Sequence, residues 1–202
     1  VTLSGGAYSL IGGAGGLGNV RAEIFAKGAI TITGTGDLTI EGNTMVNGVN
    51  NGAAIYTDAV NGDIQCDIGA GNFILQGGLS ALTSGNNSAI IATGQNSGST
   101  GNIELNGGSY SITAGAAGGF SFAYIHAVGT LQITGTGNLT MTGGDGGTDE
   151  SVRISTSAPG GNITCNIGTG NYSILGGNST NSGSNNSAGI YTGFNSIGNG
   201  DI

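Results

Sequence analysis

Apolar residues in this chain come in pairs two positions apart, and three kinds of pair rotate in fixed order from one end to the other. Val1/Leu3, Ile30/Ile32, Cys66/Ile68, Ile103/Leu105, Leu131/Ile133 and Cys165/Ile167 form the first set. Tyr8/Leu10, Leu38/Ile40, Phe73/Leu75, Tyr110/Ile112, Leu139/Met141 and Tyr172/Ile174 form the second. The third has the form small-x-Ile-x-(Ala/Ser/Thr) and is centred on Ile24, Ile55, Ile91, Ile125, Ile154 and Ile190. A spacing of two is the period of a strand with one buried face, and no segment carries the helical period. Three short strands per turn of the pattern, in turns of roughly 33 residues, are the mark of a solenoid. The predicted fold is therefore all-β: a parallel β-helix (β-solenoid) of six coils, each of three short strands. Coils stacked about 4.8 Å apart rise about 29 Å in all, and parallel crossovers make the right-handed winding the expected one.

A longer repeat lies over the coils. Val-Thr-Leu-Ser-Gly-Gly-Ala-Tyr-Ser-Leu at 1–10 returns as Ile-Glu-Leu-Asn-Gly-Gly-Ser-Tyr-Ser-Ile at 103–112, and Gly-Asp-Ile-Gln-Cys-Asp-Ile-Gly at 62–69 returns as Gly-Asn-Ile-Thr-Cys-Asn-Ile-Gly at 161–168. The chain thus reads as a single solenoid, residues 1–202, made of two tandem three-coil repeats, 1–102 and 103–202. Corner lengths follow the same rhythm. Coils one and four leave their third strand by Lys27-Gly28 and Val128-Gly129, whereas coils three and six use the long stretches 94–102 and 193–201. Ile202 falls on the repeat position of Val1. The expected partners are therefore further repeats, or copies of the same chain, stacked end to end.

Composition narrows the function. Of 202 residues 45 are glycine, about three times the ordinary share, which suits corners that need positive φ. Glycine has no every-third-residue period, which excludes collagen. No apolar run reaches membrane-spanning length, so no membrane insertion is expected. A net charge of −8 with only Arg21, Lys27 and Arg153 as cations excludes a nucleic-acid partner and an anionic lipid surface. Cys66 and Cys165 hold equivalent repeat positions between isoleucines and read as small buried hydrophobes, not as a disulfide framework.

The stretches Ala-Ile-Thr-Ile-Thr-Gly-Thr-Gly-Asp-Leu-Thr-Ile-Glu-Gly at 29–42 and Gly-Asn-Ile-Thr-Cys-Asn-Ile-Gly-Thr-Gly-Asn-Tyr-Ser-Ile at 161–174 resemble the β-strand repeats of large secreted bacterial surface proteins, the filamentous-haemagglutinin-like and autotransporter-passenger adhesins. The resemblance covers the whole chain and rests on style, not on a diagnostic motif. It implies export to the cell surface or extracellular space, and use as a stalk or adhesive fibre. The secretion domain and transporter barrel of that group are absent from these 202 residues.

Candidate chemistry is sparse. Some parallel β-helices degrade polysaccharides, but a glycoside hydrolase needs two carboxylates about 5–9.5 Å apart. Here Asp63 and Asp67 are replaced in the second repeat by Asn162 and Asn166. With one histidine and no nucleophile–base pair, the reading is a structural, non-enzymatic protein without cofactor. The one acidic cluster, 143–150, offers Asp145, Asp149 and Glu150 as a calcium candidate, since calcium takes several oxygen ligands from a flexible loop. Outward positions of the third strands carry Phe25, Tyr56, Tyr124, His126 and Tyr191, which predict a lateral fibre contact or glycan stacking. A binding module of this kind, recognising glycan or a host surface through outward aromatics and long loops, is the alternative to a stalk. A threonine array of the ice-binding kind is excluded, because the outward position of the first strands is expected to run Thr2, Thr31, Asp67, Glu104, Gln132 and Asn166.

Overall fold

The computed structural model describes residues 1–13, 20–43, 51–79, 86–94, 100–116, 119–147, 149–178 and 186–193. Eighteen strands form three parallel six-stranded sheets, and no helix occurs among the described residues. The first sheet stacks Thr2–Ser4, Ile30–Thr33, Ile64–Asp67, Ile103–Gly107, Leu131–Gly135 and Ile163–Asn166. The second stacks Tyr8–Ile11, Leu38–Glu41, Phe73–Gln76, Tyr110–Thr113, Leu139–Thr142 and Tyr172–Leu175. The third stacks Ala22–Ala26, Ala53–Thr57, Ala89–Thr93, Ala123–Ala127, Val152–Thr156 and Ala188–Tyr191. Each coil gives one strand to each sheet, so every strand pairs with its equivalent one coil away, in register. The protein is a β-solenoid of three-strand coils.

The core is the set of inward columns. Phe73 stacks on Tyr110 at 4.9 Å with their rings 15° apart, and Ile55, Ile91, Ile125 and Ile154 form an isoleucine ladder with no exposed surface. Like lies over like because parallel in-register pairing places identical repeat positions one strand spacing apart. Fully burying each such side chain contributes about 1.5–3 kcal/mol.

One register differs from the expectation. In coils three and six the inward pair of the first strand is Ile64/Cys66 and Ile163/Cys165, since Ile64 pairs with Ile30 and Ile103, and Cys66 with Ile32 and Leu105. Ile68 and Ile167 are buried too, but in the corner that follows. The outward column therefore reads Thr2, Thr31, Gln65, Glu104, Gln132 and Thr164, with Asp67 and Asn166 two positions further on. Corner length explains the shift. Between the last inward residue of the first strand and the first of the second lie 4–7, 33–37 and 67–72, then 106–109, 134–138 and 166–171. These corners hold four, five and six residues, twice over. The six-residue corner has room to fold an extra isoleucine inward.

Exit corners grow in the same way, through 27–29, 58–63 and 94–102, then 128–130 and 157–162. The residue before each corner matches its length. Ala26 and Ala127 precede the short ones; Thr57, Thr93 and Thr156, all buried, precede the longer ones. The hydroxyls of Thr93 and Thr156 donate to the carbonyls of Gly101 and Gly161 at 2.8 and 2.7 Å, and Thr57 reaches Gly28 at 2.7 Å. The threonine hydroxyls thus tie the ends of the third strands to corner carbonyls, that of Gly101 also accepting the Gly129 amide at 2.8 Å.

Candidate functional site

The second corner, where each coil turns from its second sheet into its third, is the tightest part of the fold. A Cβ on Gly77 or Gly115 would lie 1.8 Å from the Asn87 carbonyl oxygen and 1.6 Å from that of Gly78. Inside this corner runs a polar ladder that the hydrophobic pattern does not reveal. Asn51, Asn87, Ser121, Glu150 and Asn186 each stand two residues before the third strand, and the first four are fully buried. Their carbonyls accept the amides of Gly78, Gly115, Gly144 and Gly177 in the next coil, at 2.6, 2.7, 2.8 and 2.9 Å. The side-chain amides of Asn51 and Asn87 donate to the carbonyls of Leu79 and Ala116 at 2.7 and 3.1 Å. The signal in the sequence is Asn, Ser or Glu recurring two places before the residue that opens each third strand from the second coil onward, Val20 holding that place in the first.

The three carboxylates of the calcium candidate are placed separately around this ladder. Asp145 is exposed and its Oδ1 accepts from the backbone and side-chain amides of Asn178, at 3.2 and 3.1 Å. Asp149 caps its own turn through the Ser151 amide at 3.2 Å. Glu150 is buried against Gly144, whose Cβ, if present, would lie 3.0 Å from Oε2. Among the described residues no group of three His, Cys, Asp or Glu side chains is gathered to hold a metal ion. Burial raises the Glu150 carboxyl above its ordinary range; the nearby Gly147 amide opposes the shift, and the charges of Asp145 and Asp149 add to it.

Other acids serve as staples between coils. Asp37 accepts from the amide and side chain of Asn72 at 2.8 and 3.1 Å, and Asp63 from those of Asn102 at 2.7 and 3.2 Å. Asp67 accepts from the Asn106 side chain at 2.9 Å. Asp63 precedes and Asp67 ends one four-residue strand, which sets them about 13 Å apart along the extended chain, beyond the spacing a glycosidic carboxylate pair needs.

The outward aromatics occupy the third face in two columns. Phe25, Tyr56, Ala92, His126, Ser155 and Tyr191 form one column; Glu23, Ala54, Ile90, Tyr124, Arg153 and Gly189 form its neighbour. The stripe is broken, because Ala92 and Ser155 are buried. Two clusters stand on either side of the breaks. Phe25 packs against Tyr56 with ring centroids 4.6 Å apart and the rings tilted by 35°, with Arg21 over the Tyr56 ring at 5.7 Å and paired to Glu23 at 3.4 Å. Phe122 stacks on Tyr124 at 5.1 Å, with Arg153 over the Tyr124 ring at 5.4 Å. Such cation–π contacts favour a desolvated arginine. Arg21, Phe122 and Arg153 complete these clusters and were not legible as site residues, though Arg21 and Phe122 share one repeat position just before the strand. His126 shares a hydrogen bond with Ser155 Oγ at 2.9 Å; burial, then Arg153, pushes its pKa down to about 4. Tyr191 stands apart at the sixth coil, 37% exposed. The two cysteines are apart and reduced, with burial raising Cys66 to about 12 and Cys165 to about 11.

At both ends of the stack the inward columns reach the surface. Tyr110, between Phe73 and Leu139, is 1% exposed; Tyr172, in the same column one coil beyond Leu139, is 49% exposed. Leu3, Tyr8 and Leu10 at one end, and Cys165, Ile174 and Ile190 at the other, are only partly buried. No known family model, no curated protein and no solved structure matches this chain.

Proposed function

We propose that this chain is a structural, non-enzymatic segment of an extracellular bacterial fibre or adhesin stalk, whose end coils stack on further coils of the same kind. The observation that carries the reading is the in-register stacking of equivalent coils, which buries Tyr110 between Phe73 and Leu139. Strand edges are surfaces that proteins ordinarily cover, and an equivalent coil fits the edges of another in shape and hydrogen-bonding pattern. The side-chain chemistry agrees with a building element. Asp37, Asp63, Asp67 and Asp145 are spent on holding coil to coil. The resemblance to strand repeats of secreted surface proteins, one of style, supports the location outside the cell.

A second reading has its own support. Arg21 and Arg153, two of the chain's three cations, lie on the third face with its aromatics, and the central outward columns of the first and second faces are nearly all polar. Stacked rings beside arginine suit a glycan or host-surface contact along the stalk. One experiment separates the two. Lysine placed in the end rungs (Leu10→Lys with Ile174→Lys) is expected to abolish end-to-end rods in electron micrographs while the β-sheet spectrum persists. Tyr56→Ala with Tyr191→Ala is expected to leave rods intact and to remove any glycan binding. Rods that survive the lysines would sink the stalk reading.

A further inference from the structure

We propose that Glu150 is a proton-carrying rung of the second-corner ladder, and that its protonation fastens the sixth coil to the fifth. The ladder defines the role. Asn51 and Asn87 each place a donor on the carbonyl of a corner residue in the next coil, Leu79 and Ala116. In the stack of corner residues Ala116 lies beside Asp145, and Asp145 beside Asn178. The carbonyl that faces Glu150 in the same geometry is therefore that of Asn178. It already accepts the Gly146 amide at 2.8 Å and retains its second lone pair.

An ionised carboxylate has no donor, whereas a protonated one has a single O–H. Only the protonated form can play the part the asparagines play. Neither carboxyl oxygen of Glu150, nor the Ser121 hydroxyl one coil below, makes a hydrogen bond of normal geometry among the described residues; the Gly147 amide lies near the carboxyl and opposes its raised pKa, but less strongly than burial raises it. No positive charge faces the group. Coil four contributes Ser121, coil six Asn178 and Asn186, and the corner Asp145 and Asp149; of these only the two aspartates titrate, and both repel a second negative charge. The single ion pair among the described residues, Arg21 with Glu23, lies on the third face. A buried charge without a partner is the costliest state open to this side chain, and taking up a proton removes it.

The sign of the pH dependence follows. A carboxyl held above its ordinary value of 4.5 in the folded chain binds its proton more tightly folded than unfolded. Its contribution is fully present below 4.5 and is lost as pH rises through the raised folded value. His126 has the opposite sense. It is held down to about 4 from 6.5, so its contribution is present above 6.5 and lost as pH falls towards 4. The two slopes are separable by substitution.

The test is carbon-13 NMR titration of the glutamate side-chain carboxyls in the intact chain. It is combined with amide exchange at Gly177, whose N–H donates to the Glu150 carbonyl, in wild type, Glu150→Gln and Glu150→Asn. The expected result is a Glu150 carboxyl that keeps its proton to higher pH than an exposed glutamate carboxyl does. Gly177 protection, corrected for intrinsic exchange, should fall at least about tenfold across that step in wild type and stay flat in both variants. Asparagine is the ladder's own residue and serves if glutamine does not fit. A Glu150 that titrates with the other glutamates overturns the proposal, as does a variant that keeps the wild-type slope. Calcium chloride that restores Gly177 protection at high pH in wild type alone also overturns it, because a cation would then hold the carboxylate.

Discussion

At the level of single residues, glycine and buried polar groups decide more than the isoleucines do. Gly115 has no space for a methyl group, its nearest obstacle being a backbone oxygen 1.6 Å from the would-be Cβ, while Gly13 has nothing within 4 Å. Gly115→Ala is therefore expected to cost about 1–3 kcal/mol or more, and Gly13→Ala to leave stability unchanged or slightly raised. Denaturant unfolding of the two variants checks this, and equal midpoints would refute it. The inward Ile, Leu and Tyr positions were legible because a period of two marks them without reference to anything distant. Glu150 was not. A glutamate in a glycine-rich corner looks solvated, and only the stacking of corners shows that it occupies an asparagine position. Asp145, five residues before it, does face solvent, so composition alone could not separate the two.

At the level of the element, strands were read well and their registers less so. The pairs Cys66/Ile68 and Cys165/Ile167 obey the strand period as well as Ile64/Cys66 and Ile163/Cys165 do. Only pairing to the neighbouring coils distinguishes them, because a shift of two keeps every side chain on the same face. The third strands offered no such ambiguity, their small residues flanking a single isoleucine, and their outward column was read in full. Their closing residue also proves informative, alanine before short corners and threonine before longer ones. Thr156→Val removes the hydroxyl that bonds the Gly161 carbonyl at 2.7 Å in a fully buried site. The expected loss is about 1–3 kcal/mol, measured by chemical denaturation. A loss no larger than that of the outward, half-buried Thr31→Val would show that the corner holds without it.

At the level of the whole molecule, the stack behaves as a one-dimensional array in which each coil is stabilised by its neighbours. The six coils were legible from the rotation of three strand types. The outward aromatic positions were legible too, while their grouping into two arginine-capped clusters was not, because each arginine reaches a ring in a neighbouring coil. The central claim concerns the stacking of coil on coil between chains. Sedimentation of the purified chain over a concentration series, with cryo-electron microscopy of the same samples, tests it directly. The account predicts unbranched rods one solenoid wide that lengthen with concentration and repeat axially at about 4.8 Å. A monodisperse monomer at every concentration would contradict it.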